Sequence, residues 1–86
     1  EGALTLQVMQ DGNDLQVRLT GASGFQRLPV DVIGLDGKLV LSQDLSIMGG
    51  AGQVRFDVSA LAAGAYFVRT GNASFQRVQR VVIERK

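Results

Sequence analysis

Apolar and polar residues alternate along most of this chain with a period of two, the spacing that places alternate side chains on one face of a β-strand. Residues 4–8 and 15–19 show the pattern most clearly, with Leu or Val at every second position and polar residues between them. The Asp-Gly-Asn-Asp sequence at 11–14 separates the two segments. The pattern predicts an antiparallel hairpin with one buried face, and no segment has helical spacing.

Alternation resumes after a loop rich in Gly and Ser at residues 21–24. The next strand contains Pro29, which favours the start or the edge of a strand because proline cannot donate a ladder hydrogen bond. The Asp36-Gly37 pair then predicts a two-residue hairpin turn of type I′. Three further strands are predicted at residues 54–58, 66–68 and 74–83.

A two-residue turn at Asp36-Gly37 fixes which residues face each other across the hairpin. It predicts the pairs Gly34 with Leu39, Ile33 with Val40 and Val32 with Leu41. The core face then carries Val30, Val32, Leu39 and Leu41, and the opposite face carries Ile33, Leu35 and Val40. An apolar outer face is typical of a contact surface for a parent protein or a partner, and the alternative is that a loop such as 48–52 covers it.

The Gly-Asn pair before the last strand is a second signal for a tight turn. Pairing across it places Phe75 opposite Val68, but it also places Arg77 opposite Tyr66 on the core face. Since a charged side chain conflicts with a core position, we expect a β-bulge between Phe75 and Val81. Beyond that bulge Val81 and Ile83 are expected to point inward, towards the core.

Seven strands with turns every 8–15 residues predict an all-β fold, an immunoglobulin-like β-sandwich of two antiparallel sheets. A chain of 86 residues has room for a single domain with one core. The sequence begins without Met or a basic-then-apolar signal segment, so we interpret residues 1–86 as one domain of a longer precursor.

Composition argues against an enzyme. The chain has no Cys and no His, which removes the thiol nucleophile, the commonest general base and the commonest metal ligands. Residues 11–14 are the one acidic cluster that resembles calcium ligands, and they lack a late bidentate Glu. The glycines at 49–52 are not followed by the Lys-Ser/Thr pair of a phosphate-binding loop. We therefore predict no catalytic residue, no metal site and no cofactor.

Charge is distributed unevenly along the chain. Residues 1–57 carry four basic and seven acidic side chains, whereas residues 58–86 carry five basic side chains and one acidic one. A basic C-terminal strand attracts anionic partners, and it also protects an edge strand from aggregation. The candidate contacts for an anionic ligand are Arg69, Arg77 and Arg80, with Phe67 nearby. The net charge of +1 argues against nucleic-acid binding.

Three motifs occur in order over residues 28–86, and together they are more specific than alternation alone. The motifs are Gly37-Lys38-Leu39-Val40, then Asp57-Val58-Ser59-x-Leu61-x-x-Gly64-x-Tyr66-Phe67-Val68, and an apolar last strand that ends in Arg85-Lys86. This series resembles the C-terminal sorting domain (type A) of the type IX secretion system of Bacteroidetes.

The resemblance implies a non-catalytic export signal at the C-terminus of a larger exported protein. Such domains direct their parent through the periplasm to the cell surface, the outer membrane or the medium. The implied partners are the outer-membrane shuttle and sortase-like components of the machinery, the parent cargo domain and, where the domain is retained, anionic lipopolysaccharide. The residues expected to carry recognition are Gly37, Lys38, Gly64, Tyr66, Val81, Val82, Ile83, Arg85 and Lys86.

A second interpretation stays open at this point, an accessory adhesion or ligand-binding module of a surface protein. Its contact surface is then the last hairpin or the face that carries Ile33 and Val40. The chain has no Trp and a single Tyr, so the flat aromatic surfaces typical of sugar binding are scarce. In either case exposed edge strands allow weak self-association.

Overall fold

Seven β-strands and no helix make up the part of the chain that the computed structural model describes, residues 4–22, 24–71 and 76–84. The strands are β1 (Thr5–Asp11), β2 (Asp14–Thr20), β3 (Arg27–Gly34), β4 (Leu39–Ser46), β5 (Gly52–Asp57), β6 (Gly64–Gly71) and β7 (Gln76–Ile83). The all-β prediction is confirmed. No helix that could cross a membrane occurs within these described ranges.

The strands form two antiparallel sheets. The three-stranded sheet has the order β1-β2-β5, and the four-stranded sheet has the order β4-β3-β6-β7. The chain therefore changes sheet between β2 and β3, between β4 and β5, and again between β5 and β6. This arrangement is consistent with the predicted immunoglobulin-like sandwich.

The core lies between the inner faces of the two sheets and follows the alternation in the sequence. Phe56 of β5 is the largest fully buried side chain among the described residues, and Ile83 of β7 is 1% exposed. The aliphatic residues around them are Leu15, Val17 and Leu19 of β2, Leu28, Val30 and Val32 of β3, Leu45 of β4 and Val68 of β6. Because each fully buried side chain of this size contributes roughly 1.5–3 kcal/mol, this cluster is the main source of stability.

The turn between β3 and β4 differs from the type I′ prediction. The N–H of Gly37 donates to the carbonyl of Gly34 (2.9 Å), and the N–H of Gly34 donates to the carbonyl of Lys38 (2.9 Å). Gly37 has φ +85°, whereas no described residue other than glycine has a positive φ, so Asp36 does not adopt the type I′ conformation. The geometry is that of a three-residue loop ending in a glycine bulge.

This loop changes two of the three predicted pairs, Gly34 with Leu39 and Ile33 with Val40. Val32 faces Leu41 as predicted, but Ile33 faces Leu39, with a register shift between Val32 and Ile33. Leu39 is consequently 59% exposed, and its predicted place in the core is wrong. The physical reason is the side chain of Asp36, which accepts the N–H of Lys38 at 3.0 Å and stabilises the wider loop.

The register of the last hairpin is unbroken from Gly64–Ile83 to Gly71–Gln76. Tyr66 therefore faces Val81, and the bulge expected before Val81 is absent over Gln76–Ile83. The conflict at Tyr66 is removed because the pairing closes at Gly71 and Gln76, further apart in sequence than a two-residue turn allows. Arg77 instead lies opposite Thr70 near the end of the hairpin, where it stays exposed. Residues 72–75, which include Phe75, lie outside the described residues. Ile83 is buried and Val81 packs against the core, so their inward orientation is confirmed.

Pro29 was predicted at the start or the edge of a strand, and it lies near the start of β3. It is the third residue of the strand, and the pairing of β3 with β6 begins only at Val30. The missing N–H of proline therefore interrupts no described pair with β6. Its carbonyl accepts a hydrogen bond from the hydroxyl of the buried Thr70 at 2.8 Å.

Two glutamine side chains connect the sheets at opposite corners of the sandwich. Gln43 of β4 donates to the carbonyl of Arg55 in β5 at 2.8 Å. Gln10 of β1 donates to the carbonyl of Glu84 (3.0 Å) and accepts the N–H of Glu84 (2.9 Å). Each amide thus satisfies backbone groups at a corner where one sheet ends beside the other, and Gln10 attaches the end of β7 to β1.

We expect Gln10→Ala to destabilise the end of β7 by about 0.5–1.5 kcal/mol, since it removes the partner of the Glu84 N–H and carbonyl. Hydrogen exchange should show faster exchange of the Glu84 amide. The control is Gln7→Ala, which truncates an exposed glutamine of the same strand. Equal exchange at Glu84 in both variants would contradict the proposed role of Gln10.

Candidate recognition site

Most of the residues expected to carry recognition meet at one end of the four-stranded sheet. Gly37 and Lys38 lie in the loop where β3 ends, Gly64 begins β6, and residues 81–83 end β7. Because antiparallel neighbours alternate in direction, these three segments lie side by side. Gly34 pairs with Tyr66, Tyr66 with Val81 and Gly64 with Ile83. We call this region the recognition end; Arg85 and Lys86 lie outside the described residues.

The side chains of the recognition end differ in how accessible they are. Lys38 is exposed in its loop and Val82 is 47% exposed. Ile83 is buried, and Tyr66 and Val81 are half-buried against the core. The first group is thus the more accessible of the two, and the second group packs against the core.

The second motif forms the crossover from β5 to β6. The carboxylate of Asp57 accepts the N–H of Ser59 at 3.0 Å, and the N–H of Leu61 donates to the carbonyl of Val58 at 3.0 Å. Leu61 is half-buried and packs against the core, which fixes the crossover to the sandwich. The hydroxyl of Tyr66 donates to the carbonyl of Ala62 at 2.7 Å, four residues upstream.

This last contact has the form of the tyrosine corner of immunoglobulin-like sandwiches. Core packing of Tyr66 was predictable from alternation, but its hydrogen bond was missed. The available signal was a tyrosine near the start of a strand that follows a crossover between sheets. The motif therefore stabilises the fold at the recognition end, and exposed residues beside it are left to make contacts.

We expect Tyr66→Phe to lower the free energy of unfolding by about 0.5–1.5 kcal/mol, because the ring stays packed while the bond to Ala62 is lost. A urea titration at 25 °C measures the effect. Ser59→Ala, which removes an exposed hydroxyl from the same crossover, should change stability by less than about 0.5 kcal/mol. A Tyr66→Phe midpoint equal to the wild-type value would show that the hydroxyl contributes nothing.

An apolar row crosses the outer face of the four-stranded sheet. From the β4 edge inward the paired residues are Leu39, Ile33 and Phe67. Arg80 of β7 pairs with Phe67 and ends the row. Leu35 (69% exposed) and Val40 (36% exposed) extend the apolar surface at the loop. The predicted apolar outer face is thus present, with Leu39 added to it by the register shift.

The loop at residues 48–52 does not cover this face. Ile47 donates its N–H to the carbonyl of Gln26, and Ala22 donates its N–H to the carbonyl of Gly50, so the loop lies beside the start of β3. Ile33 lies at the other end of that strand, and Met48 is 83% exposed. The alternative that this loop shields the apolar face is wrong.

The three candidate arginines do not form one cluster. Arg69 and Arg80 lie on the outer face on either side of Phe67, as alternation in β6 and pairing with β7 require. Arg77 pairs with Thr70, whose side chain is on the core face. The guanidinium of Arg69 contacts the carboxylate of Asp31 at 2.9 Å. Among the described residues, Arg80 has no such ion pair.

Within the described ranges there is no group of three or more His, Cys, Asp or Glu side chains that could hold a metal ion. A groove of about 420 Å³ lies along β1, between Leu6 and Met9 on one side and Gln79 on the other. A smaller one of about 210 Å³ lies near Asp31 and Arg69. The first groove lies away from the recognition end, and we assign neither a chemical role.

Comparison with known families gives one match. The family described as the secretion system C-terminal sorting domain matches residues 11–84, a range that includes β2–β7, the tyrosine corner and the recognition end. No curated protein matches the chain.

Proposed function

This chain belongs to the C-terminal sorting domains of type IX secretion, and we propose that it is the C-terminal domain of a larger protein that it directs through the translocon to the cell surface. The observation that carries the proposal is the extent of the family match, residues 11–84 of 86. A match of this extent spans β2–β7, six of the seven described strands, rather than a short shared motif. The signal is therefore a folded shape with its own core.

The machinery components that we propose as partners are an outer-membrane shuttle and a sortase-like enzyme, encountered after transit through the periplasm. The recognition end supports this proposal because it brings Lys38, Gly64 and Val82 together from distant parts of the sequence. Arg85 and Lys86 directly follow this end in the sequence. We propose that the exposed members contact the machinery and that Tyr66, Val81 and Ile83 position them.

Two fates of the domain follow from this proposal. The sortase-like component removes it, or it is retained and contacts anionic lipopolysaccharide at the surface. The excess of basic residues after position 57 supports electrostatic attraction to such a ligand. Self-association through edge strands is expected to be weak, since Gln10 and Gln43 occupy backbone groups at both corners.

Sorting domains of this family are typically non-catalytic, and we propose the same for this chain. The absence of Cys and His from the sequence supports this proposal. The second candidate, an adhesion or ligand-binding module, is favoured by the apolar row on the outer face, which runs from the exposed Leu39 through the half-buried Ile33 and Phe67. A parent chain that continues with further domains after Lys86 would favour that second function.

The test is a fusion of residues 1–86 to the C-terminus of a periplasmic fluorescent reporter in a type IX-competent host. We expect the reporter at the surface, and its mass distinguishes a removed domain from a retained one. Deletion of residues 81–86 should abolish delivery. A reporter ending at Glu84 keeps Ile83 in the core, so it tests Arg85 and Lys86 without opening the fold. Normal delivery of the 81–86 deletion would contradict the sorting function.

A further inference from the structure

We propose that the outer face of the four-stranded sheet docks onto a protein of the export machinery whose surface is apolar and presents a carboxylate to Arg80. This inference rests on the proposed sorting function and names the surface that performs it. The residues of this docking face are Leu39, Ile33, Phe67, Val78, Arg80 and Val82.

The docking face exposes more apolar side chain than the fold requires. Val78 is 58% exposed, Val82 is 47% exposed, and Leu39 is 59% exposed. The core is complete without them, because the inner positions of the same strands are occupied by Val32, Val68 and Ile83. The outer face of an antiparallel sheet is ordinarily polar, and a contiguous apolar area on it is typical of an interaction site.

Two arginines of this face, Arg27 and Arg80, have no ion pair among the described residues, and Arg80 is the one that lies within the apolar area. The charge of Asp31 is compensated by the guanidinium of Arg69 at 2.9 Å, and its carboxylate also accepts a hydrogen bond from the hydroxyl of Ser42 at 2.7 Å. Arg80 lies directly opposite Phe67, between Val78 and Val82 on the same face of β7. Its guanidinium therefore stands within an apolar surface and without an ion pair among the described residues.

This combination fits a protein surface better than a membrane or a second copy. Attraction to an anionic membrane amounts to about 1 kcal/mol for each basic residue near the surface, so Arg27 and Arg80, which have no ion pair among the described residues, give only weak binding. A second copy docked face to face would bring another Arg80 to the centre of the contact. An aromatic residue beside an arginine, ringed by aliphatic side chains, is instead the composition of protein–protein hot spots.

The experiment uses the reporter fusion with paired variants on the two sheets. Arg80→Glu and Val82→Asp alter the docking face, whereas Arg18→Glu and Met9→Asp make the same kinds of change on the outer face of the three-stranded sheet. Met9 is 65% exposed and lies on an edge strand, as Val82 does. Urea titration of the purified domains establishes that all four remain folded.

We expect the two docking-face variants to reduce surface delivery by about ten-fold or more and the two controls to leave it unchanged. If the unaltered fusion is delivered and all four variants match it, the docking face is wrong while the sorting function stands. Equal loss of surface delivery in all four variants also overturns the proposed docking face. If the unaltered fusion stays in the periplasm, the sorting function fails and this inference with it.

Purified domain tests the class of partner. Co-sedimentation with anionic vesicles and sedimentation velocity of the domain alone should both show no binding that depends on Arg80. If the domain binds anionic vesicles and Arg80→Glu abolishes that binding, the partner of this face is a lipid and not a protein. If the domain forms a dimer and Arg80→Glu abolishes the dimer, the partner of this face is a second copy of the domain.

Discussion

Replacing Phe56 by alanine is expected to lower the free energy of unfolding by about 3–5 kcal/mol, the range for deleting a buried phenylalanine. Phe56 is 1% exposed and pairs with Leu15, which is itself fully buried. The cavity would lie between two sheets that are fixed by their ladders, so the surroundings have little freedom to fill it. The total free energy of unfolding of a protein domain is roughly 5–15 kcal/mol, so this loss removes a large part of its stability.

Urea unfolding followed by circular dichroism measures this change. The control is Met48→Ala, which truncates a side chain that is 83% exposed in the loop between β4 and β5 and should change stability by less than about 0.5 kcal/mol. A Phe56→Ala domain destabilised by less than about 1 kcal/mol would contradict the central place of this ring in the core.

Ile83→Ala is expected to lower the free energy of unfolding by about 2–5 kcal/mol, although Ile83 lies at the end of the last strand. Ile83 is 1% exposed, and its partner across the ladder is Gly64, which has no side chain to fill the space. The adjacent Glu84 is attached to β1 only through the amide of Gln10 among the described contacts. Loss of Ile83 should therefore loosen that attachment as well.

The neighbouring residue supplies the matched control for this prediction. Val82→Ala removes a side chain that is 47% exposed and should change stability by less than about 0.5 kcal/mol. Thermal unfolding distinguishes the two variants, and hydrogen exchange reports on the end of β7. Equal destabilisation by both would mean that β7 does not have the inner and outer faces described above. In the reporter fusion, Ile83→Ala is expected to impair delivery through unfolding.

The strands and their buried faces were predictable from the sequence because alternation needs only neighbouring residues. The register of the β3–β4 hairpin could not be predicted in the same way, because an Asp-Gly pair is compatible with a two-residue loop and with a three-residue loop. The carboxylate of Asp36 decides between them, and that choice moves Leu39 from the core to the outer face. A one-residue slip in a strand reverses the direction of each side chain beyond it.

The candidate site was predictable in part for the same reason. Phe67 and Arg69 share a face by alternation within β6, and this was expected. The placement of Arg77 apart from Arg80 depends on the length of the connection between β6 and β7, which alternation does not specify. The recognition end depends on pairing between β3 and β6, more than 30 residues apart, and the sequence carries no local signal for it.

The bond between Gln10 and Glu84 joins positions 74 residues apart, so it forms only after nearly the whole domain has left the ribosome. The same holds for the place of Ile83 in the core, which stays vacant until the final strand arrives. A chain that ends early lacks the strand that closes the sandwich and keeps apolar surface in contact with water. Closure of this domain thus requires synthesis through the end of β7, and a receptor that binds the closed form would reject chains that end before that strand.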